Sequence, residues 1–342
     1  MEIIDPTEYV NWDELLYSTP NGSFFHTSSW AKVLMEAYGY FPKYFTEFEG
    51  KEMSTLIPIM EVRSFFTGSR GVSVPFTDYC EPLLKKNVEF SDCFDRIIDY
   101  GKKCRWKYIE LRGNCNLVPL APPLISYLGH TLSLSRDEGQ IFSSFRDSTK
   151  RNIKKATREG VKVEILTSFD SVKEFYRLNC LTRREHGLPP QPERFFKSIY
   201  TYIISKDLGF VVLASFQGKY IGGAVFFHFG ERAFYKYGAS DRFYQHLRAN
   251  NLVMWEAIKW YSQNGFKTFC FGRTEPYNLG LIQFKSGWGT TEKEINYYRY
   301  DLRKNMFINR KLKVKGFQNK IFRNLPIPLL KDVGSIIYRH VG

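Results

Sequence analysis

Two cations flank a short loop late in the chain, and their types and spacing suit the binding of an anion. A short apolar strand ends at Gly272, Arg273 follows it, and a loop and a short helix lead on to Lys285. Ligands of open α/β sheets bind where strands end. The Arg guanidinium suits a bidentate contact with phosphate or carboxylate, and the Lys ammonium acts as a point charge. The pattern predicts a site for an anionic substrate, with surface ion pairs as the alternative interpretation.

The composition is that of a two-domain globular protein. The chain has 342 residues, of which 43% are hydrophobic and 25% are charged, and this length exceeds what one core usually supports. No apolar run is long enough for a transmembrane helix, and the acidic start of the sequence does not resemble a signal peptide. The six Cys have neither CxxC nor metal-ligand spacing. This usage predicts reduced thiols, no bound metal and a cytoplasmic protein.

Positive charge is concentrated in two segments. The net charge is +14, and residues 303–342 contain ten Lys or Arg and one acid, so they carry nine of these charges. In the tail 304–342, apolar residues alternate with cations, as expected of an amphipathic segment on an anionic membrane leaflet or of an element packed on the first domain. Residues 146–162 contain seven Lys or Arg and two acids. This basic helix predicts either a surface that faces RNA or phosphate or a solvated face.

The chain repeats one order of elements. Each half is predicted as a strand, a helix, an antiparallel meander, a further helix and a further strand, which is an α/β fold with mixed sheets. The predicted boundaries are 1–133 for the first domain, completed by 301–342, and 134–300 for the second. This order resembles the topology of GCN5-related acetyltransferases (GNAT), found twice.

Seven short motifs together resemble the Fem family of aminoacyltransferases, which build peptidoglycan interpeptide bridges, and their relatives in polysaccharide biosynthesis. They span roughly residues 20–300 and occur in the same order as in the family. The motifs are FFHTSSWAKVL, VPFTDYCEPL, STKRNIKKATREGV, LTRREHGLP, FYKYGAS, NNLVMWEAI and FGRT…LGLIQFKSGWG. The resemblance implies twin GNAT domains that transfer an aminoacyl group from aminoacyl-tRNA to an amine of a nucleotide- or lipid-linked muropeptide.

The resemblance also implies site residues. By matched position Lys32 would contact a substrate diphosphate, and Asp78 belongs to the loop after the meander of the first domain. The other matched positions are Arg183, Arg184, Tyr235, Tyr237, Phe284 and Lys285. Lys32, Arg273 and Lys285 are expected to converge in a cleft between the domains.

Acyl transfer to an amine requires stabilisation of the developing oxyanion, an acceptor for the amine proton and alignment of both substrates. We assign the first role to Lys285 and the second to Asp78, whose alternative is a turn-forming residue, and we add Tyr237 as a third catalytic residue. Substrate binding falls to Lys32, Arg183, Arg184, Tyr235, Arg273 and Phe284. Solvated helix faces are the alternative for the cations. Tyr235 and Tyr237 are predicted to share one strand face, with core packing as their alternative.

The acyl donor stays open between aminoacyl-tRNA and acyl-CoA. Residues 245–251, QHLRANN, lack the glycines that hold the CoA pyrophosphate in ordinary acetyltransferases, and no resident cofactor is expected. Expected partners are a phosphorylated glycan or muropeptide acceptor, tRNA, and an anionic membrane surface reached by the tail, for a monomeric protein. The rival hypotheses are an acyl-CoA- or carrier-dependent N-acyltransferase of exopolysaccharide biosynthesis and a non-catalytic RNA- or membrane-binding protein.

Overall fold

The computed structural model describes residues 1–86, 88–114, 121–309 and 317–342, without the side chains of 317–320. The chain forms two compact units. Unit 1 comprises Met1–Tyr127, Glu294–Lys313 and Ile336–Gly342, and unit 2 comprises Leu128–Lys293 and Val314–Ser335.

Strands and helices alternate along the chain. The strands are β1 (Glu2–Ile4), β2 (Phe41–Glu49), β3 (Glu52–Val62), β4 (Arg70–Val72), β5 (Leu83–Leu84), β6 (Tyr108–Arg112), β7 (Ile125–Ser133), β8 (Lys162–Leu166), β9 (Gly209–Phe216), β10 (Lys219–Phe229), β11 (Arg232–Ser240), β12 (Thr268–Thr274), β13 (Thr291–Asp301) and β14 (Met306–Phe307). The helices are α1 (Trp12–Ser18), α2 (Ser28–Tyr38), α3 (Phe90–Lys103), α4 (Glu138–Ser144), α5 (Asp147–Arg158), α6 (Phe169–Glu185), α7 (Glu193–Tyr202), α8 (Ala249–Gln263), α9 (Leu279–Ser286), α10 (Phe317–Asn324) and α11 (Ile327–Val341). Among these described helices, none is both long and apolar enough to span a bilayer.

Each unit contains a mixed sheet. In unit 1 the strand order is β1-β2-β3-β4-β6-β13, with β5 beside β3 and β14 beside β13, and the β4–β6 pair is parallel while the other pairs of these described strands are antiparallel. In unit 2 the order is β7-β12-β11-β10-β9-β8, and here too one pair of the described strands, β11–β12, is parallel and the rest are antiparallel. The predicted α/β class with mixed sheets is confirmed.

Local sequence explains why α2 begins and ends where it does. The Thr27 side chain accepts a hydrogen bond from the backbone N–H of Trp30, which caps the helix. Gly39 adopts a left-handed conformation with φ of 70° and ends it. The helix buries one apolar stripe, as its sequence period predicts, formed by Trp30, Val33, Leu34 and Ala37.

The core of unit 2 lies between its sheet and the helices α5 and α8. Phe226 of β10, Tyr261 of α8 and Trp288 after α9 are fully or almost fully buried in this cluster. The opposite face of the sheet is covered by α6 and α7. This core packs against β12 and α9, which carry the two cations predicted from the sequence, Arg273 and Lys285.

Candidate functional site

The parallel strands β11 and β12 separate after a short paired stretch. They pair only from Arg232 opposite Thr268 to Phe234 opposite Cys270, although β11 runs on to Ser240 and β12 to Thr274. Beyond this stretch each strand pairs with its outer neighbour, β10 or β7. The carboxyl ends of the two strands therefore diverge, and such an opening is a place where α/β proteins bind ligands.

Lys285 is buried beside the end of β12. The pairing of β12 with β7 shifts register between Cys270 and Arg273, and Gly272 lies at φ 70°, a conformation that favours glycine. This irregularity exposes two carbonyl groups to α9. The Lys285 ammonium donates to the carbonyl oxygen of Gly272 at 3.2 Å and to that of Arg273 at 2.8 Å. With 3% of its surface exposed, Lys285 is not in a surface ion pair, and that alternative interpretation is wrong.

A buried histidine lies near Lys285. His130 of β7 has no exposed surface, and neither of its ring nitrogens has a hydrogen-bond partner among the described residues. Its Nδ1 is 3.6 Å from Oε1 of Glu292. Burial lowers the pKa of the imidazole below its ordinary 6.5, and the charge of Lys285 lowers it further against the opposing effect of Glu292. His130 is therefore held neutral near pH 7.

Thr274, the last residue of β12, adds a second buried polar group. Its Oγ1 also has no hydrogen-bond partner within the described part of the chain. Buried polar atoms are usually paired, so Thr274 and His130 mark a polar region with unused hydrogen-bonding capacity in unit 2. Sequence reasoning gave neither residue a role: Thr274 entered only as the last residue of the FGRT motif, and His130 stands in a strand without a motif of its own.

A cavity of about 210 Å³ opens at the end of β11 and the start of α8. Arg248 adopts φ of 60° immediately before α8, the left-handed conformation that glycine usually provides. The side-chain amide of Asn250 donates to Oγ of Ser240 at 3.4 Å. The turn thus keeps a glycine-like backbone but presents Arg and Asn side chains. The cavity is lined by Ile221, Ser240, Asp241, Tyr244, Gln245, Arg248, Ala249, Asn250, Asn251 and Phe284.

The two predicted tyrosines lie on opposite faces of the sheet, so the prediction that they share a face is wrong. Tyr237 pairs with Val225 and Tyr235 with Phe226, which leaves Lys236 as an extra residue in a β-bulge. Tyr235 packs in the core against Phe226, and burial raises its pKa to about 12. The ring of Tyr237 instead contacts two rings of α7, those of Phe195 and Phe196.

The two arginines at the end of α6 have different surroundings. The Nε of Arg183 donates to the carbonyl oxygen of Pro189 at 3.2 Å, which ties the helix end to the following proline segment. Arg184 is half-buried, and its side chain makes no hydrogen bond or ion pair within the described residues. Arg184 is therefore the better candidate for an anion contact.

Lys32 and Asp78 belong to unit 1. Lys32 is half-buried on α2, and no described residue forms a hydrogen bond or ion pair with its side chain. The carbonyl oxygen of Asp78 accepts a hydrogen bond from the Tyr297 hydroxyl at 2.7 Å, in a loop where Val74 and Phe76 have positive φ. The convergence of Lys32 with Arg273 and Lys285 stays a prediction. Described His, Cys, Asp and Glu side chains form no group of three that could hold a metal.

The fold and the divergent strands of unit 2 define an acetyltransferase-type domain. The family model described as an acetyltransferase (GNAT) domain matches residues 143–285. A tandem GNAT protein from the clavulanic acid biosynthesis pathway superposes with a TM-score of 0.54 at 8% identity, covering 88% of this chain and 98% of its own. The predicted GNAT fold is confirmed.

The chain is also similar to Fem proteins. The crystal structure of FemX superposes with a TM-score of 0.67 at 14% identity, covering 86% of this chain and 97% of its own. Lipid II:glycine glycyltransferases are 31% identical in Staphylococcus haemolyticus and 28% identical in Staphylococcus aureus, over 98 residues or 27% of this chain. The match spans about a quarter of those relatives, 23% of their length. The resemblance to the Fem family that the motifs indicate is confirmed.

Proposed function

We propose that the chain is an aminoacyltransferase that acylates an amine of a nucleotide- or lipid-linked cell-wall or surface-glycan precursor. The observation that carries the proposal is the buried ammonium group of Lys285 at the divergent ends of β11 and β12. When an amine attacks an ester carbonyl, negative charge develops on the carbonyl oxygen, and a fixed cation shielded from water stabilises it. The similarity to lipid II:glycine glycyltransferases supports an acceptor of this class.

The turn before α8 favours an aminoacyl ester over acyl-CoA as the donor. A CoA pyrophosphate needs close approach to bare backbone N–H groups, which glycines permit. Here Arg248 and Asn250 project side chains at this turn, and Phe284 lines the same cavity. A cavity of about 210 Å³ is smaller than the roughly 300–1,000 Å³ of typical ligand pockets, so it is suited to a small aminoacyl group rather than to a pantetheine arm.

The basic face of α5 supports tRNA as the carrier of that group. Arg151, Lys154 and Arg158 are exposed and lie on one face, at spacings of three and four residues. Arg151 and Lys154 have no acidic partner among the described residues, whereas Lys150 is paired with Asp147 at 3.1 Å. Unpaired exposed cations in a row contribute to the binding of a polyanion by releasing its counterions.

The donor is tested by incubating the full chain with lipid II or with a UDP-linked muropeptide, and with either total aminoacyl-tRNA or acetyl-CoA. Mass spectrometry of the acceptor is expected to show a gain of one aminoacyl residue only when aminoacyl-tRNA is present. Acylation with acetyl-CoA alone would contradict the aminoacyl donor and support the exopolysaccharide N-acyltransferase. Binding of tRNA with no transfer to any acceptor would support a non-catalytic binding protein.

The role of α5 is tested with Arg151→Glu/Lys154→Glu. Because two cations of the row are reversed, we expect the KM for aminoacyl-tRNA to rise about tenfold or more at physiological salt and its salt dependence to weaken. Lys197→Glu, which reverses an exposed lysine of α7, is the matched control and should leave the KM unchanged. An equal KM for the double variant and the control would exclude α5 from donor binding.

A further inference from the structure

The most exposed large apolar side chain in the described residues belongs to a turn of unit 1. Phe65 is 96% exposed and its neighbour Phe66 is 72% exposed, in the turn of residues 63–69 between β3 and β4. Soluble proteins rarely leave two adjacent phenylalanines in water without an interaction that uses them. We call this segment the aromatic turn.

The aromatic turn is held by specific hydrogen bonds. The N–H of Gly68 donates to the carbonyl oxygen of Ser64 at 2.8 Å, and the N–H of Thr67 donates to Oγ of Ser64 at 3.0 Å. From outside the turn, the Lys107 ammonium donates to the carbonyl oxygen of Thr67 at 2.7 Å. These hydrogen bonds fix the conformation of the turn, and in this conformation the two rings are exposed.

The end of α11 extends the same apolar surface within unit 1. The ring of His340 meets the ring of Phe66 edge-on at 4.9 Å, and Arg70 donates to the carbonyl oxygens of His340 at 2.6 Å and of Gly342 at 3.0 Å. These contacts fix the last helical turn beside the aromatic turn. Three aliphatic side chains there stay exposed, at 61%, 36% and 57%: Ile336, Ile337 and Val341.

Most of the exposed charges beside this surface are positive, although the exposed Asp332 lies on α11 one turn before Ile336. Arg105, Lys107 and Arg339 are exposed, and Arg63 at the start of the turn has 60% of its side chain exposed. The acid nearest in sequence, Glu61, is buried and bonded to Arg63 at 2.9 Å. An apolar surface with a cationic rim matches the interface of an anionic bilayer, where the apolar groups enter the acyl boundary and the cations meet the headgroups.

We propose that the aromatic turn and the last turns of α11 form a docking surface for an anionic lipid bilayer. The sequence predicts membrane contact along the whole tail, and this proposal restricts that contact to the end of the tail, because two other cations of the tail contact residues of unit 2. Lys331 lies over the ring of Tyr176 at 4.7 Å, and Arg323 donates to the carbonyl oxygen of Glu185 at 3.1 Å. Docking on a bilayer would bring the chain to a lipid-linked acceptor, and in that respect the proposal rests on the proposed function. Binding to vesicles can nevertheless be measured without any acyl transfer.

The test is flotation of the full chain with vesicles of phosphatidylcholine alone or with about one third phosphatidylglycerol. We expect binding to the anionic vesicles only. Phe65→Ser/Phe66→Ser should weaken it at least about tenfold, because both rings lose the free energy of leaving water for the acyl boundary. Phe243→Ser, at a phenylalanine of unit 2 that is 77% exposed, is the matched control and should bind as the unaltered chain does.

The charge component is tested with Arg339→Glu, which should weaken anionic binding about fivefold or more, with Lys197→Glu as its control. All substituted side chains are exposed, so thermal melting should be unchanged in every variant. Equal binding of the double phenylalanine variant and its control, or equal binding to neutral and anionic vesicles, would overturn the proposal. A dimer that forms without vesicles and is lost in the double variant would overturn it too, since a second copy would then cover the surface.

Discussion

Each unit buries positively charged side chains, and the groups that surround these charges differ between the two units. In unit 1, Glu110 is buried between Arg299 at 2.6 Å and Arg112 at 2.8 Å. Burial alone would raise the pKa of the Glu110 carboxyl, but the two guanidinium groups outweigh it and hold the pKa below its ordinary value. In unit 2, the Lys285 ammonium is held by backbone carbonyls and has neutral His130 in its neighbourhood.

We propose that this difference separates a structural network in unit 1 from a catalytic group in unit 2. The Glu110 carboxylate neutralises one of the two guanidinium charges and bonds both groups directly, and such a network mainly stabilises the fold. Carbonyl dipoles orient an ammonium group without supplying a formal negative charge, and we propose that this ammonium acts on a developing oxyanion. A perturbed histidine in the same region is typical of a reaction centre.

The largest expected effect on stability is in unit 1. Glu110→Gln leaves Arg112 and Arg299 without their carboxylate, and removal of one partner of a buried ion pair costs about 3–5 kcal/mol. We expect a loss of this size in the free energy of unfolding, measured by urea denaturation. Glu231→Gln, which breaks an exposed pair with Lys267, is the control and should cost less than about 1 kcal/mol. Similar losses for both variants would show that the buried network around Glu110 stabilises the fold no more than an exposed ion pair does.

Lys285→Met should cost less stability than Glu110→Gln. The substitution leaves the carbonyls of Gly272 and Arg273 without the ammonium, at a cost of about 1–3 kcal/mol, but it also removes a buried charge. The measurement is again urea denaturation, with Lys259→Met, at a lysine paired with Glu256, as the control. A loss as large as that of Glu110→Gln would make Lys285 primarily structural.

Gly272→Ala tests whether the irregularity in β12 positions Lys285. A residue with a Cβ at φ 70° costs about 1–2 kcal/mol, and relaxation of the strand would move the carbonyls that hold the ammonium. We expect a lower kcat together with this loss of stability. Gly218→Ala, at φ 77° in open space, carries the same backbone cost and should leave kcat unchanged. Equal kcat in both variants would show that the backbone at Gly272 does not set the Lys285 geometry.

The smallest expected effect is a pH dependence from His130. Its pKa is lowered in the folded chain, so the unfolded chain binds the proton more readily, and stability is complete above about pH 6.5 and declines as the pH falls below it. His130→Gln should flatten this decline in the pH profile of the unfolding free energy. Part of the remaining decline belongs to His228, whose pKa burial also lowers. At lower pH the protonation of Glu110, whose pKa is held below its ordinary value, adds a further decline. An unchanged slope in His130→Gln would show that folding does not lower the pKa of His130.

Features set by hydrophobic period and element order could be predicted from the sequence, whereas local irregularities of the backbone could not. The buried stripe of α2 and the closeness of Lys285 to Arg273 result from helix period and strand–loop–helix order. The faces of Tyr235 and Tyr237 were assigned wrongly because alternation assumes an unbroken strand, and a bulge at Lys236 reverses it.

The backbone of the turn before α8 also could not be predicted from residue types. The absence of glycine from residues 245–251 predicts a turn without the left-handed conformation, yet Arg248 adopts that conformation at φ 60°. His130 could not be singled out from sequence, since only pairing across β7 and β12 places it near Lys285. Backbone conformations that tertiary contacts impose on non-glycine residues lie beyond what residue types indicate.

The central claim is that the Lys285 ammonium stabilises the developing oxyanion of acyl transfer. Its most direct test is the single-turnover rate of transfer from aminoacyl-tRNA to lipid II by the unaltered chain and by Lys285→Met, at saturating concentrations of both substrates. We expect Lys285→Met to stay folded and to bind both substrates, but to transfer at a rate lower by about 10²–10³, which corresponds to one lost oxyanion contact. Equal rates in the two proteins would contradict it.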